Sequence, residues 1–260
     1  MINPIAFNLK YLRLFLVVSF LAGCARSAPL GGPAFAPQLM PTSVVSNPPS
    51  MVPRDIYHEV GPQETMWRIS KVYGVDENVI LQANHLSNRN QLKNGQKLLI
   101  PGTLGPRAVV PLYPNARWKY IIVHHTAADV GNARMIDVQH RERGFWNGLG
   151  YHFLIDNGTY GKSDGQIEVG PRWVKQEVGA HTKADDMNEK AIGVSLVGNF
   201  SQDLPSETQM ASLVFLVKTL RDYYHIPNQN IIGHRDVPGA STECPGLRFR
   251  WTEFKQKLMA

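Results

Sequence analysis

Hydrophobic residues fall into distinct arrangements along this chain. Near the N-terminus, Leu14 to Ala22 is apolar without a break and follows Lys10 and Arg13. That run has the length of a signal-peptide core and is too short for a comfortable membrane span. Residues 25–54 show no apolar period, carry few charges and include seven prolines, the composition of an extended linker. From residue 56 the pattern becomes regular. Ile56 to Val60 predicts a short strand and Gly61-Pro62-Gln63-Glu64 a turn. Thr65 is placed to cap a helix whose apolar positions are Met66, Ile69, Val72 and Tyr73, with Gly74 as its stop. Asp76 opens a second helix with Val79, Ile80 and Ala83 on one side, and Asn94-Gly95 turns into a strand over Lys97–Ile100 ended by Pro101. The order is β-α-α-β.

A second proline-bearing stretch, residues 102–116, separates this unit from a larger one. Trp118 to Val123 predicts a buried strand that ends at His124-His125. A helix follows over 133–143, patterned around Met135 and Val138, and then a strand over Gly150–Ile155. Asp156-Asn157-Gly158 is a hairpin turn leading toward 159–169. Ala191 to Gly198 predicts a third strand. Ser206 and Gln209 form a capping box for a helix reaching about Tyr224, with Leu213, Leu216, Val217 and Leu220 facing inward. Asn230 to Gly233 is a short strand running into His234. Strands alternating with helices predict an α/β domain, a central sheet packed by helices.

Charge narrows the function. The net charge is +6, but residues 117–260 hold 17 bases against 16 acids and residues 56–101 hold five against four. The folded parts are close to neutral, so a basic nucleic-acid groove is not supported. The two cysteines exclude a disulfide-dense scaffold and a four-cysteine metal module.

Three residues stand out by type: His124 and His234, each at a strand end, and Cys244, ten residues after His234. Two imidazoles and a thiolate make a three-ligand zinc set with a fourth position open to water. A histidine at a strand end or a buried cysteine also serves packing, so spacing alone leaves both readings open.

The motifs carry three resemblances. Leu21-Ala22-Gly23-Cys24 resembles a bacterial lipobox, which implies cleavage before Cys24, acylation of its thiol and, with Ala25, sorting to the outer membrane. Thr65-Met66-Trp67, Tyr73-Gly74-Val75, Ala83-Asn84, Gly95-Gln96 and Ile100-Pro101 resemble the lysin motif (LysM), a binder of N-acetylglucosamine-containing glycans. Gln63 departs from that pattern, which usually has Gly there. From Trp118 to Trp251 the chain resembles a type-2 N-acetylmuramoyl-L-alanine amidase, the zinc family that includes the peptidoglycan-recognition proteins. The matching stretches are Ile121–Thr126, Gly148–Phe153, Gly179-Ala180-His181, Asn188 with Ile192–Val194, Gly233-His234-Arg235 and Thr242–Gly246.

These resemblances imply an organisation and a chemistry. The organisation is a signal peptide at 1–23, a lipidated linker at 24–55, a LysM domain at 56–101, a linker at 102–116 and the catalytic domain at 117–260, a central mixed sheet packed by helices. The chemistry is hydrolysis of the amide between N-acetylmuramic acid and L-alanine by zinc-activated water. His124, His234 and Cys244 are the implied ligands, and His125 is left to packing or support. Tyr151 and Thr242 are the implied catalytic residues, since Ser195 stands where another branch of the family has Glu. His181 and Asn188 are implied to line the substrate groove. The implied partners are peptidoglycan and, through Cys24, the periplasmic face of the outer membrane. A zinc-free binding protein, an intracellular recycling amidase and a cysteine hydrolase are the alternatives. Cys244 opposes the first, and the export signal and LysM unit oppose the second.

Overall fold

The computed structural model describes residues 38–39, 52–145, 147–184 and 186–260. The stretch expected to be a signal peptide, Cys24 and most of the proline-rich linker therefore lie outside the described residues. Within that linker, β1 (Gln38–Leu39) pairs antiparallel with residues 111–112.

The portion that resembles LysM is β2 (Arg54–Glu59), α1 (Met66–Tyr73), α2 (Glu77–Ala83) and β3 (Lys97–Thr103). Both predicted caps are present: Thr65 Oγ1 accepts from Arg68 N and Asp76 Oδ1 from Asn78 N. Gly74 ends α1 in the left-handed region. Met66, Ile69, Val72, Tyr73, Ile80, Leu98 and Ile100 form the core. Val79 is exposed instead, so Ile80 alone is the buried position of α2. Pro101 does not end the last strand. A bulge between Arg54 and Ile56 gives β3 an extra residue there, and the Asp55 carboxylate takes the Gly102 N–H. Proline has no N–H to lose, so the strand passes through it. Gln63 sits at φ 58°, a left-handed position that explains why a glycine suits this loop.

The stretch 102–116 is not a free tether. Val109 packs into the LysM core, while Val110 and Leu112 of β4 (Pro111–Leu112) pack into the core of the larger sheet. Arg68 spans the seam, donating to Val109 O at 3.0 Å and Ile167 O at 3.3 Å. The two portions fall within one compact unit.

The larger portion contains β5 (Tyr120–His125), α3 (Ala133–Glu142), β6 (Phe153–Asn157), β7 (Asp164–Val169), α4 (Pro171–Val174), α5 (Met187–Lys190), β8 (Ala191–Leu196), α6 (Glu207–Tyr224), β9 (Ile231–Gly233) and α7 (Trp251–Met259). The sheet order is β7-β6-β8-β5-β9, parallel except for the β6–β7 hairpin. Strand parity divides the residues between its faces. Ile121, Val123, Ile192, Val194, Phe153 and Ile155 pack with Leu213, Leu216, Val217 and Leu220 of α6 and Phe254 of α7. His124, Gly193 and Ser195 take the other parity and face away from α6.

Two boundaries shift for physical reasons. The strand predicted from Gly150 begins at Phe153, because Gly150 N is held by His140 Nδ1 and the chain bends there. In α3 the buried face is Ala133, Ile136, Asp137 and His140, whereas Val138 is exposed. Asp137 is buried by design of that bend: its carboxylate accepts from Leu149 N at 2.8 Å and pairs with Arg141.

Candidate metal centre

His124 is the fifth residue of β5 and lies opposite Ser195 in the register with β8. His234 follows β9 directly, on the other side of β5. Parallel pairing therefore brings both histidines to the carboxyl ends of adjacent strands, the usual place for a site in an α/β sheet. Cys244 arrives from the loop after β9, held by Arg235 N donating to Cys244 O at 2.8 Å. The candidate donor atoms of His124, His234 and Cys244 lie within 4.8 Å of one another.

Hydrogen bonds select the nitrogen that His124 presents. His181 Nε2 faces Ala191 O at 3.3 Å, so it carries the proton and Nδ1 accepts. His124 Nε2 lies 3.0 Å from that Nδ1 and is therefore the donor. This leaves His124 Nδ1 as a bare lone pair, 3.6 Å from Cys244 Sγ. Burial first, and then the neighbouring imidazoles, hold His124 and His181 well below the ordinary histidine range. Burial also lowers His234. Neutral imidazoles and a sulfur are the donor chemistry of a zinc site, and a ring held by a second hydrogen bond is its usual support. The three residues fit the ion.

Cys244 is buried, and burial pushes its thiol up to about 12. The His125 N–H points at Sγ from 3.4 Å, and His125 Nδ1 accepts from Phe200 N. His125 is thus a support for the loop and the sulfur.

A cleft of about 720 Å3 opens beside the triad, lined among others by His234, Tyr151, Thr242, His181 and Asn188. The Tyr151 ring lies 5.2 Å from that of His124. Burial raises its hydroxyl to about 12 despite the adjacent Ser195, so it stays protonated. Thr242 Oγ1 accepts from Cys244 N at 3.2 Å, which leaves its own proton free for the exposed side. His181 and Asn188 reach the cleft wall with their polar atoms largely committed. Asn188 Oδ1 accepts from His181 N and Thr182 N, and its amide donates back to Thr182 O. Asn188 is the clamp that presents the 181–182 turn. His181 is packed so closely on β8 that a Cβ at Gly193 would lie 2.4 Å from its ring.

The sequence reading missed His140, Arg143, Phe145 and Lys183, which also line the cleft. The signal was available in α3, where His140 sits one turn after Ile136. The pattern drawn through Met135 and Val138 turned the wrong face inward.

The profile of the family described as N-acetylmuramoyl-L-alanine amidase matches residues 114–247, and that of the LysM domain matches residues 58–101. Peptidoglycan-recognition protein SC2 of Drosophila simulans is 30% identical over 145 residues, 52% of this chain and 72% of that protein. Peptidoglycan-recognition protein 2 of Holotrichia diomphalia is 33% identical over 142 residues, covering 51% and 70%. Among solved structures, N-acetylmuramoyl-L-alanine amidase LysC from Clostridium intestinale URNW is 35% identical, covering 56% of this chain and 89% of that one with a TM-score of 0.47. The amidase match runs over more than half of the sequence and includes every residue of the triad, and the chain belongs to the N-acetylmuramoyl-L-alanine amidase family, with a LysM domain ahead of the amidase fold.

Proposed function

We propose that this protein is a zinc-dependent peptidoglycan hydrolase that cleaves the amide between N-acetylmuramic acid and the L-alanine of the stem peptide. The observation that carries the reading is the convergence of His124, His234 and Cys244 beside an open cleft. A zinc ion held by that set supplies Lewis acidity, which polarises a carbonyl and brings the pKa of a water toward neutrality. The remaining chemistry belongs to the chain. Tyr151 is protonated at neutral pH and donates its O–H to the reacting oxygen, orienting it. Thr242 directs its free O–H proton at the charge developing on the scissile carbonyl oxygen. Arg143 and Lys183 on the cleft wall suit a substrate with peptide carboxylates. The LysM domain raises the local concentration of a polymeric substrate without entering the chemistry.

Two other readings are weaker. A protein that only binds peptidoglycan has no use for a complete three-donor set, and this chain retains one. A cysteine nucleophile needs a thiolate, and a buried thiol raised to about 12 does not provide one unaided. We also propose export as a lipoprotein acylated on Cys24, at the periplasmic face of the outer membrane. Radiolabelled palmitate should enter the wild-type protein and not Cys24→Ser; equal labelling of both would remove the anchor. The amidase reading is tested by digesting sacculi and weighing the products. Free stem peptides with peptide-free glycan are expected, with loss of activity on chelation and recovery with zinc. Peptides released with sugar attached, or chelator-resistant cleavage, would overturn it.

A further inference from the structure

A second cleft, of about 500 Å3, lies away from the metal centre and is walled by Tyr57, Glu59 and Lys97 of the LysM domain and by Tyr160 and Gly161 of the catalytic domain. Its size is that of a small-ligand site. Tyr57 and Tyr160 are 69% and 54% exposed, so neither ring serves the core. Tyr57 and Glu59 share one face of β2 at a two-residue spacing, and Lys97 is the cross-strand partner of Glu59. The cleft thus offers two aromatic faces, one ammonium and one carboxylate that also pairs with Arg134 at 3.5 Å.

Its two walls are fixed to each other. Lys162, two residues beyond Tyr160, is buried, donates to Glu59 O at 2.8 Å and pairs with Glu168 at 2.8 Å. The lysine of one wall is therefore bonded to the backbone of the other. Tyr160 itself sits at φ 49°, a left-handed conformation uncommon for a tyrosine. The β6–β7 turn that carries it leaves the sheet at the carboxyl end of the parallel strands, the end that also bears His124 and His234. Two strand positions separate β6 from β5, about 10 Å across the sheet.

We propose that this cleft is a saccharide-binding site that takes the glycan strand of peptidoglycan, built jointly by the two domains and distinct from the metal cleft. The proposal rests on the peptidoglycan reading above. A pyranose ring presents apolar C–H faces, which stack on tyrosine, and a rim of hydroxyl and acetamido groups, which need both donors and acceptors. Glu59 and Lys97 supply one of each. Glu59 is also paired with Arg134 at 3.5 Å, so the lining adds a single lysine and no cluster of cations of the kind a nucleic-acid groove needs. A strand held here extends from a fixed point at the sheet end where the stem peptide must reach the triad. Fixing the unreacting part of a substrate is how remote contacts serve the reacting bond.

The test is calorimetric titration of the full chain with soluble, peptide-free peptidoglycan glycan strands. Tyr57→Ala and Tyr160→Ala should each weaken binding about ten-fold, the scale of one lost aromatic contact. Tyr160→Phe keeps the ring and should bind like the parent. Thermal unfolding of each variant checks that the fold is kept. Tyr160 lies outside the LysM domain, so unaltered binding by Tyr160→Ala would overturn the composite site and return the glycan to the LysM domain alone. No binding by the parent chain, or a concentration-dependent self-association abolished by Tyr57→Ala, would overturn it as well, the latter by naming a second copy as occupant. Failure of the parent to cleave soluble muramoyl peptides would count against the amidase reading and leave the titration intact.

Discussion

At the scale of single residues, the metal centre depends on which nitrogen each imidazole presents. Ala191 O fixes the tautomer of His181, and His181 fixes that of His124, so one backbone carbonyl decides that Nδ1 faces the sulfur. Cys244→Ser should abolish metal retention and turnover, because a neutral hydroxyl is a poor substitute for a thiolate. Elemental analysis of the purified variant checks this, and a full complement of zinc would remove Cys244 from the ligand set. Tyr151→Phe should keep metal and fold and lose about 10²–10⁴-fold in kcat, the usual cost of a positioned proton-transfer or donor group. An unchanged kcat would reduce Tyr151 to a packing residue. The two variants separate binding of the ion from use of it.

At the scale of elements, α6 shows how one helix aligns the sheet behind the site. Its capping box is complete: Ser206 Oγ accepts from Gln209 N and Gln209 Oε1 accepts from Ser206 N. The same Ser206 hydroxyl donates to Asp164 at the start of β7, and Gln209 Nε2 reaches Val197 O just after β8. The cap thus ties the helix to two strands. Ser206→Ala should cost about 1–2 kcal/mol, the upper part of the range for a lost cap, since Asp164 also loses a partner. Urea unfolding with an unchanged m-value checks it; a midpoint equal to the parent's would show that the cap is idle. This helix was legible down to its caps because a capping box and a 3.6-residue apolar period are local signals. Its contrast is α3, where packing against Leu149 and Leu154 turned Ile136 and His140 inward, a choice made by neighbours remote in sequence.

At the scale of the whole molecule, the LysM and catalytic domains meet over a buried ionic cluster. Glu64 hydrogen-bonds His58 and the Gly61 N–H, Lys162 and Arg68 lie close by, and Lys162 in turn links to Glu168 and Asp156. Burial would raise the Glu64 carboxyl, yet His58, Lys162 and Arg68 outweigh burial and hold it well below the carboxylate range. A depressed acid stabilises the fold above its unfolded value, about 4.3, and that share is lost as pH falls through the lower folded value. Asp156 has the opposite sign: burial, then Glu168, raise it, so its proton favours the folded state in acid. Glu64→Gln should therefore lower stability at pH 7 and leave a shallower loss below about pH 4. Thermal unfolding across pH 3–7 would read both, and parallel curves for variant and parent would exclude Glu64 from the linkage.

The β-α-α-β unit, the central strands, α6 and the caps at Thr65, Asp76 and Ser206 were determined by the chain alone, because each rests on residues close in sequence, whereas α4, α5 and α7 went unread. The candidate ligands were also legible as types: two strand-end histidines and a cysteine of unexplained purpose. Their convergence was implied by the family resemblance and not by local pattern, since the parallel pairing of β5 with β9 brings His124 and His234 together and the loop after β9 adds Cys244. Tertiary structure likewise decided that His181 serves His124, and that the stretch 102–116 is packed and not a tether. Local propensity sees neither, because a hydrogen bond across 57 residues and an apolar pair split between two cores cost nothing until the chain has folded around them.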